Sequence, residues 1–145
     1  MHRIALSPGA EGRAELIVGT EHTAPHVGSG QIAVLATPVM VNLMEAAALA
    51  AVEPRLPNGY QTLGIHLNVS HVAATPVGMR VHARAELIEV DGRRLTFQVS
   101  AEDEHELIGE GTHERIIVDV ARFDRRVLEK TSGLVQRAKN SAPDT

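Results

Sequence analysis

Apolar residues in the stretch 37–52 recur at helical spacing. Val39, Met40, Leu43, Met44, Ala47, Ala48, Ala51 and Val52 follow one another three or four positions apart, with apolar residues on most sides. Pro38 suits a first helical position, where a missing N–H costs nothing, so Thr37 is expected at the N-cap, and Pro54 ends the run. Downstream the period changes to two. Along Tyr60–Val72, Leu63, Ile65, Leu67 and Val69 alternate with Thr62, Gly64, His66, Asn68 and Ser70, which predicts a half-buried strand with the aliphatic set inward. Met79–Val90 repeats the pattern through Val81, Ala83, Ala85 and Leu87, and Arg93–Ala101 through Leu95, Phe97, Val99 and Ala101. Asp91-Gly92 between them is a hairpin signal. The acidic cluster Glu102–Glu106 predicts a turn, Leu107–Asp119 a last strand, and residues 14–20 a short first strand. Residues 120–140 place apolar side chains on one helical face, and the final SAPDT is expected to fray. The predicted class is α+β, an antiparallel sheet of about five strands curled around one long helix, followed by a C-terminal helix. A single domain is expected over 1–145, its core at about 14–119. Exposed sheet edges of this length invite pairing with a second copy.

Two residues violate the pattern. Glu45 sits between Met44 and three alanines, with no Lys or Arg one helical turn away. A carboxylate in such a setting costs desolvation energy unless something compensates. His71 continues the aliphatic side of its strand, so an imidazole replaces a core residue. His66 lies on the polar side and reads as ordinary surface or interface. If the helix packs on this strand, His71 and Glu45 can meet, and both residue types suit proton transfer.

Composition narrows the classes. Only Tyr60, Phe97 and Phe123 are aromatic, which argues against a nucleic-acid binder that stacks bases. The absence of cysteine excludes disulfides, thiolate zinc sites and a cysteine nucleophile, and fits a cytoplasmic protein. No apolar run approaches membrane-spanning length, and the start MHRIALSPGAEG lacks the apolar stretch of a signal peptide. Net charge is −4 but uneven: residues 120–139 hold six Lys/Arg against two acids. That basic tail reads first as the solvated face of a helix, although it would attract a phosphate-bearing ligand. Eight histidines raise the question of a metal, yet there is no HExxH, and 103–106 and 113–114 read as turn and strand polar positions rather than ligands.

The chain resembles the fluoroacetyl-CoA thioesterase-like family of hot dog acyl-CoA thioesterases. Three blocks carry the resemblance in order: LATPVMVNLMEAAALAAV (35–52), LGIHLNVSHVAATPVGM (63–79) and GRRLTFQVSAEDEHELIGEGTHERIIVD (92–119). The resemblance implies a hot dog fold, hydrolysis of a small or short-chain acyl thioester to the acid and free coenzyme A, and a homodimer with sites at its interface. It implies catalytic roles for Thr37, Glu45 and His71 and substrate contacts by Gly64 and Arg115. It implies no metal and no cofactor, coenzyme A being part of the substrate, and neither nucleic acid nor membrane as partner. Members specialised for the fluorinated substrate carry an aromatic lid before the helix. Residues 21–36 here contain no Phe, Tyr or Trp, so fluoroacetyl selectivity is not implied.

Geometry sets a condition on this triad. Eight helical residues rise about 12 Å, so Thr37 and Glu45 share a site only if the helix entry bends back or one of them arrives from a partner subunit. The rival readings are a hot dog acyl-CoA hydratase, which uses a different helix-entry motif, and a non-catalytic acyl-CoA binding module that keeps the pocket and Arg115 without turnover.

Overall fold

A computed structural model describes residues 4–140. The fraying predicted for 141–145 lies outside them, as do the side chains of 134–140. The elements run β1 (Glu11–Ile17), a short helix α1 (Ala24–Val27), the long helix α2 (Thr37–Val52), β2 (Tyr60–His71), β3 (Arg80–Asp91), β4 (Arg94–Asp103), β5 (Leu107–Asp119) and α3 (Val120–Asn140). The five strands form one sheet in the order β1-β3-β4-β5-β2, and every neighbouring pair is antiparallel. This is the expected hot dog architecture.

The core lies between α2 and the inner face of the sheet. Met40, Met44, Ala47, Ala48, Ala51 and Val52 on α2 meet Val81, Ala83, Ala85 and Leu87 of β3 and Leu95, Phe97, Val99 and Ala101 of β4, all buried. Small residues let the layers approach closely. A Cβ at Gly12 would stand 2.1 Å from the Ala47 carbonyl oxygen and 2.4 Å from the Ala51 nitrogen, so β1 crosses directly over the helix backbone there. β1 both begins and ends about three residues earlier than the expected 14–20, since its ladder with β3 runs from Glu11 opposite Glu86 to Ile17 opposite Arg80. On the outer side, Glu11 and Glu15 of β1 pair with Arg84 and Arg80 of β3. The acidic turn is organised by Asp103, whose carboxylate accepts from the backbone N–H of His105 and Glu106 and from the Thr75 hydroxyl.

The inward set expected for β2 needs correction. The strand carries a bulge between Gly64 and His66, which leaves Ile65 without a partner on β5. Before the bulge, Thr62 and Gly64 stand opposite the buried Ile117 and Arg115. After it, Leu67, Val69 and His71 stand opposite His113, Gly111 and Gly109. One extra residue therefore switches the inner face from the even to the odd positions, and Leu63 faces outward with Ile116. Leu63, Ile65 and Leu67 are 37%, 44% and 40% exposed, because β2 is an edge strand and has a neighbour on one side only.

Candidate active site

The N-terminus of α2 delivers the first pair of side chains. Ala36, not Thr37, is the N-cap, and Thr37 is the first helical residue. Its hydroxyl is therefore free of capping duty, and Thr37 Oγ1 lies 2.7 Å from His71 Nδ1 at the end of β2. Burial pushes the His71 pKa below the ordinary imidazole value, against a weaker opposing pull from the Ala73 backbone. The ring is thus neutral near pH 7. Its other nitrogen, Nε2, is buried and has no hydrogen-bond partner among the described residues. Both side chains line a cleft of about 370 Å³, with Ala24, Ile32, Val34 and Leu35 among its other lining residues. These come from the connection 23–36, which is held back on the fold by backbone hydrogen bonds from Ala24 to Val34 and from Leu35 to Thr75.

Two turns further along α2, a second group assembles. Arg115 on β5 is almost fully buried, with its Nη1 3.4 Å from Glu45 Oε2. Its Nε donates to Thr62 Oγ1 at 2.8 Å and its Nη2 to the Thr62 carbonyl at 3.0 Å. Glu45 is therefore not the uncompensated carboxylate that its helix alone suggests. Its cation comes from the sheet, out of reach of any one-turn search along the helix. Gly64 allows this approach: a Cβ there would sit 3.0 Å from Glu45 Oε2, 3.1 Å from His113 Cε1 and 3.4 Å from Arg115 Nη1. Glu45, Gly64, Leu67 and His113 border a second opening of about 270 Å³.

His113, expected to be a polar strand position, is fully buried. Its Nδ1 lies 2.8 Å from the His66 carbonyl and must carry the proton there, which leaves Nε2 as acceptor for Arg115 Nη1 at 3.1 Å. Burial, reinforced by the Arg115 charge, holds its pKa below the ordinary value although the His66 carbonyl pulls the other way. Burial also lowers the Arg115 pKa, opposed by Glu45. The signal that would have found His113 was its parity with Arg115 on one strand face.

Within one chain the five expected site residues thus form two groups. Thr37 and His71 are in contact, and Glu45, Gly64 and Arg115 are in contact, but Thr37 and His71 line one cleft whereas Glu45 and Gly64 border another. The expected meeting of Glu45 with His71 does not occur inside one chain.

The family described as fluoroacetyl-CoA-specific thioesterase (FlK) matches residues 18–121. A fluoroacetyl-CoA thioesterase of Streptantibioticus cattleyicolor is 47% identical over 98 residues, 68% of this chain and 70% of that protein. A solved structure of the fluoroacetyl-CoA thioesterase FlK superposes with a TM-score of 0.82 at 37% identity, covering 87% of this chain and 98% of that one. A point variant of FlK in complex with fluoroacetate and CoA superposes with a TM-score of 0.76 at 38% identity, covering 81% and 99%. The shared blocks, the sheet order and the extent of the match lead to one assignment: this chain belongs to the fluoroacetyl-CoA-specific thioesterase family.

Proposed function

We propose that this protein hydrolyses small acyl-CoA thioesters, with His71 as general base. The observation that carries the reading is the contact of Thr37 Oγ1 with His71 Nδ1, 2.7 Å long and set at the mouth of the 370 Å³ cleft. A neutral imidazole accepts the hydroxyl proton at Nδ1 and bears its own proton on Nε2. The same base serves two routes. In one, the Thr37 oxygen attacks the thioester carbonyl, the C–S bond breaks, and the proton passes from His71 to the departing thiolate; water then cleaves the Thr37 ester with His71 again as base. In the other, Thr37 and His71 align a water that attacks directly. In both, the backbone N–H of Thr37 at the helix start is a candidate to hold the developing oxyanion. Rapid quench with a radiolabelled acyl group separates them, since only the first leaves label on the protein.

The proposed active form is a homodimer. The buried Nε2 of His71 makes no hydrogen bond among the described residues, the Ala73 backbone exerting only a weak pull on the ring. Edge strand β2 presents exposed aliphatic side chains where a second sheet edge would add. Antiparallel pairing of two β2 strands about a two-fold axis near Asn68 would set His71 across from the Gly64–Ile65 step of the other copy. That step lies beside Glu45, so a carboxylate would arrive where the orphan N–H points. Arg115 and Gly64 would then border the thioester carbonyl, and coenzyme A enters as part of the substrate, not as a resident cofactor.

The test is thiol release across acetyl-, fluoroacetyl-, branched and aryl-CoA. His71→Ala and Glu45→Gln variants that remain folded should each lose about a hundredfold or more in kcat. Near wild-type turnover in both would defeat the assignment, and an absence of turnover with any acyl group would leave a binding role. With no aromatic side chain in 21–36, fluoroacetyl-CoA and acetyl-CoA should be hydrolysed with kcat/KM values within about tenfold of each other, the scale that a single-atom difference in an aliphatic pocket supports. A preference of several thousandfold would show selectivity built without a lid.

A further inference from the structure

The basic residues near the C-terminus are not spread evenly over a solvated helix face. Arg122 and Arg126 of α3 join Arg93 of the β3–β4 turn around a cleft of about 170 Å³ whose floor is Ile116, Val118 and Phe123. A second groove, lined by Arg122, Arg125, Arg126 and Glu129, adjoins it through the two shared arginines. Among the described residues, none of these four guanidinium groups forms an ion pair. Asp119, the acidic residue on the first cleft, is engaged as acceptor of the Arg122 backbone N–H at 3.2 Å. Elsewhere the chain is acidic, holding eight Lys/Arg against sixteen Asp/Glu outside residues 120–139. Unpaired arginines over an apolar floor, on an otherwise acidic molecule, form a specific attraction for a polyanion that also has a flat apolar ring.

The location matters as much as the charge. Ile116 and Val118 lie on the outer face of the β5 segment whose inner face carries Arg115 and Ile117, at the end of the sheet where β2 begins. A ligand bound there lies on the reverse of the β5 segment that holds Arg115 against Glu45. Resting on the thioesterase reading, we propose that this arginine cleft seats the phosphates of the coenzyme A nucleotide, so that the thioester arm is delivered to the site at the β2 edge. The 3′-phosphate and the diphosphate meet the guanidinium groups, and the adenine ring covers Phe123 and Val118.

The test compares substrates with and without the nucleotide. For Arg122→Ala/Arg126→Ala, KM for acetyl-CoA should rise about tenfold or more, the loss expected when charge-assisted contacts to phosphate are removed, with kcat little changed. Hydrolysis of the N-acetylcysteamine thioester, which lacks the nucleotide, should keep its wild-type kcat/KM. Adenosine 3′,5′-bisphosphate should bind the wild-type protein in calorimetry, weaken with added salt, and bind the double variant at least about tenfold less tightly. An equal loss for both thioesters would make the arginines merely structural. Undetectable binding of the bisphosphate to the wild type, or unchanged KM in the variant, would overturn the proposal. A preference for an acyl carrier protein, lost in the double variant while free acyl-CoA kinetics stay put, would assign the patch to a macromolecule instead. Bisphosphate binding without any thioester turnover would uphold the cleft and refute the catalytic reading.

Discussion

His71 is useful as a base because burial works against its charged form. The depressed pKa keeps Nδ1 unprotonated as pH falls toward and through the ordinary value of 6.5. The acid limb of kcat/KM should therefore fall below pH 6.5, and a limb above it would contradict the environment described. His113 follows the same rule with a different consequence. In the fold it stays neutral, whereas the unfolded chain takes up a proton near pH 6.5. Stability should decline as pH drops below that value, and the urea midpoint of His113→Gln should depend less on pH between 7 and 5 than that of the wild type. Gly64→Ala tests how tightly the Glu45–Arg115 contact is set. The added methyl displaces Glu45 Oε2, His113 or Arg115, all within 3.4 Å, at a cost of about 1–3 kcal/mol and with a clear loss of kcat/KM. Glu45 and His71 were legible in the sequence because each interrupts an apolar pattern. His113 was not, because a histidine between Thr112 and Glu114 looks like one more polar residue until the strand faces are known. Arg115 supplies the cation that the helix around Glu45 lacks, a pairing between residues 70 positions apart that no local reading contains.

Among the elements, α2 follows its sequence pattern most fully: six of its eight patterned apolar positions are buried, and Val39 and Leu43 pack half-buried against the same core. The one error at its start has a chemical meaning. Shifting the cap to Ala36 releases the Thr37 hydroxyl for His71. The β3–β4 hairpin and β5 also fall where alternation and Asp91-Gly92 place them. Strand β2 misled because strict alternation assumes a regular ladder, and the extra residue at 65 breaks it while leaving the sequence pattern intact. Packing of α2 gives two checks at this scale. Met44→Ala, fully buried, should cost about 2–5 kcal/mol in denaturant unfolding. Gly12→Val should prevent β1 from seating, because its Cβ would overlap the Ala47 carbonyl and Ala51 nitrogen, both backbone atoms that cannot yield as a side chain could. Protease sensitivity confined to the first 20 or so residues would reveal the displaced strand.

For the whole molecule, the question is whether the two halves of the site become one by pairing β2 edges. Sedimentation velocity should give about twice the 15.6 kDa mass of the chain, and Ile65→Lys on the free edge should shift it toward monomer while kcat/KM falls with it. Mixing Glu45→Gln with His71→Ala subunits gives a sharper reading. If each site draws the two residues from different copies, the mixed dimer holds one site with neither residue and one with both, and part of the activity returns. If both residues come from one copy, no mixture recovers. Among the described residues, no helix is long and apolar enough to cross a bilayer.

The unpaired residue at 65 also acts as a phase marker. Because the strand alternates, removing it would leave every named side chain in the sequence and rotate those on one side of the gap by half a period. Thr62 would then turn away from the guanidinium it anchors, or His71 away from the hydroxyl it touches, and the strand could not satisfy both. A protein lacking only this residue should keep its sheet and lose its chemistry, which makes the count of residues between Gly64 and His71 as much a part of the site as the residues themselves.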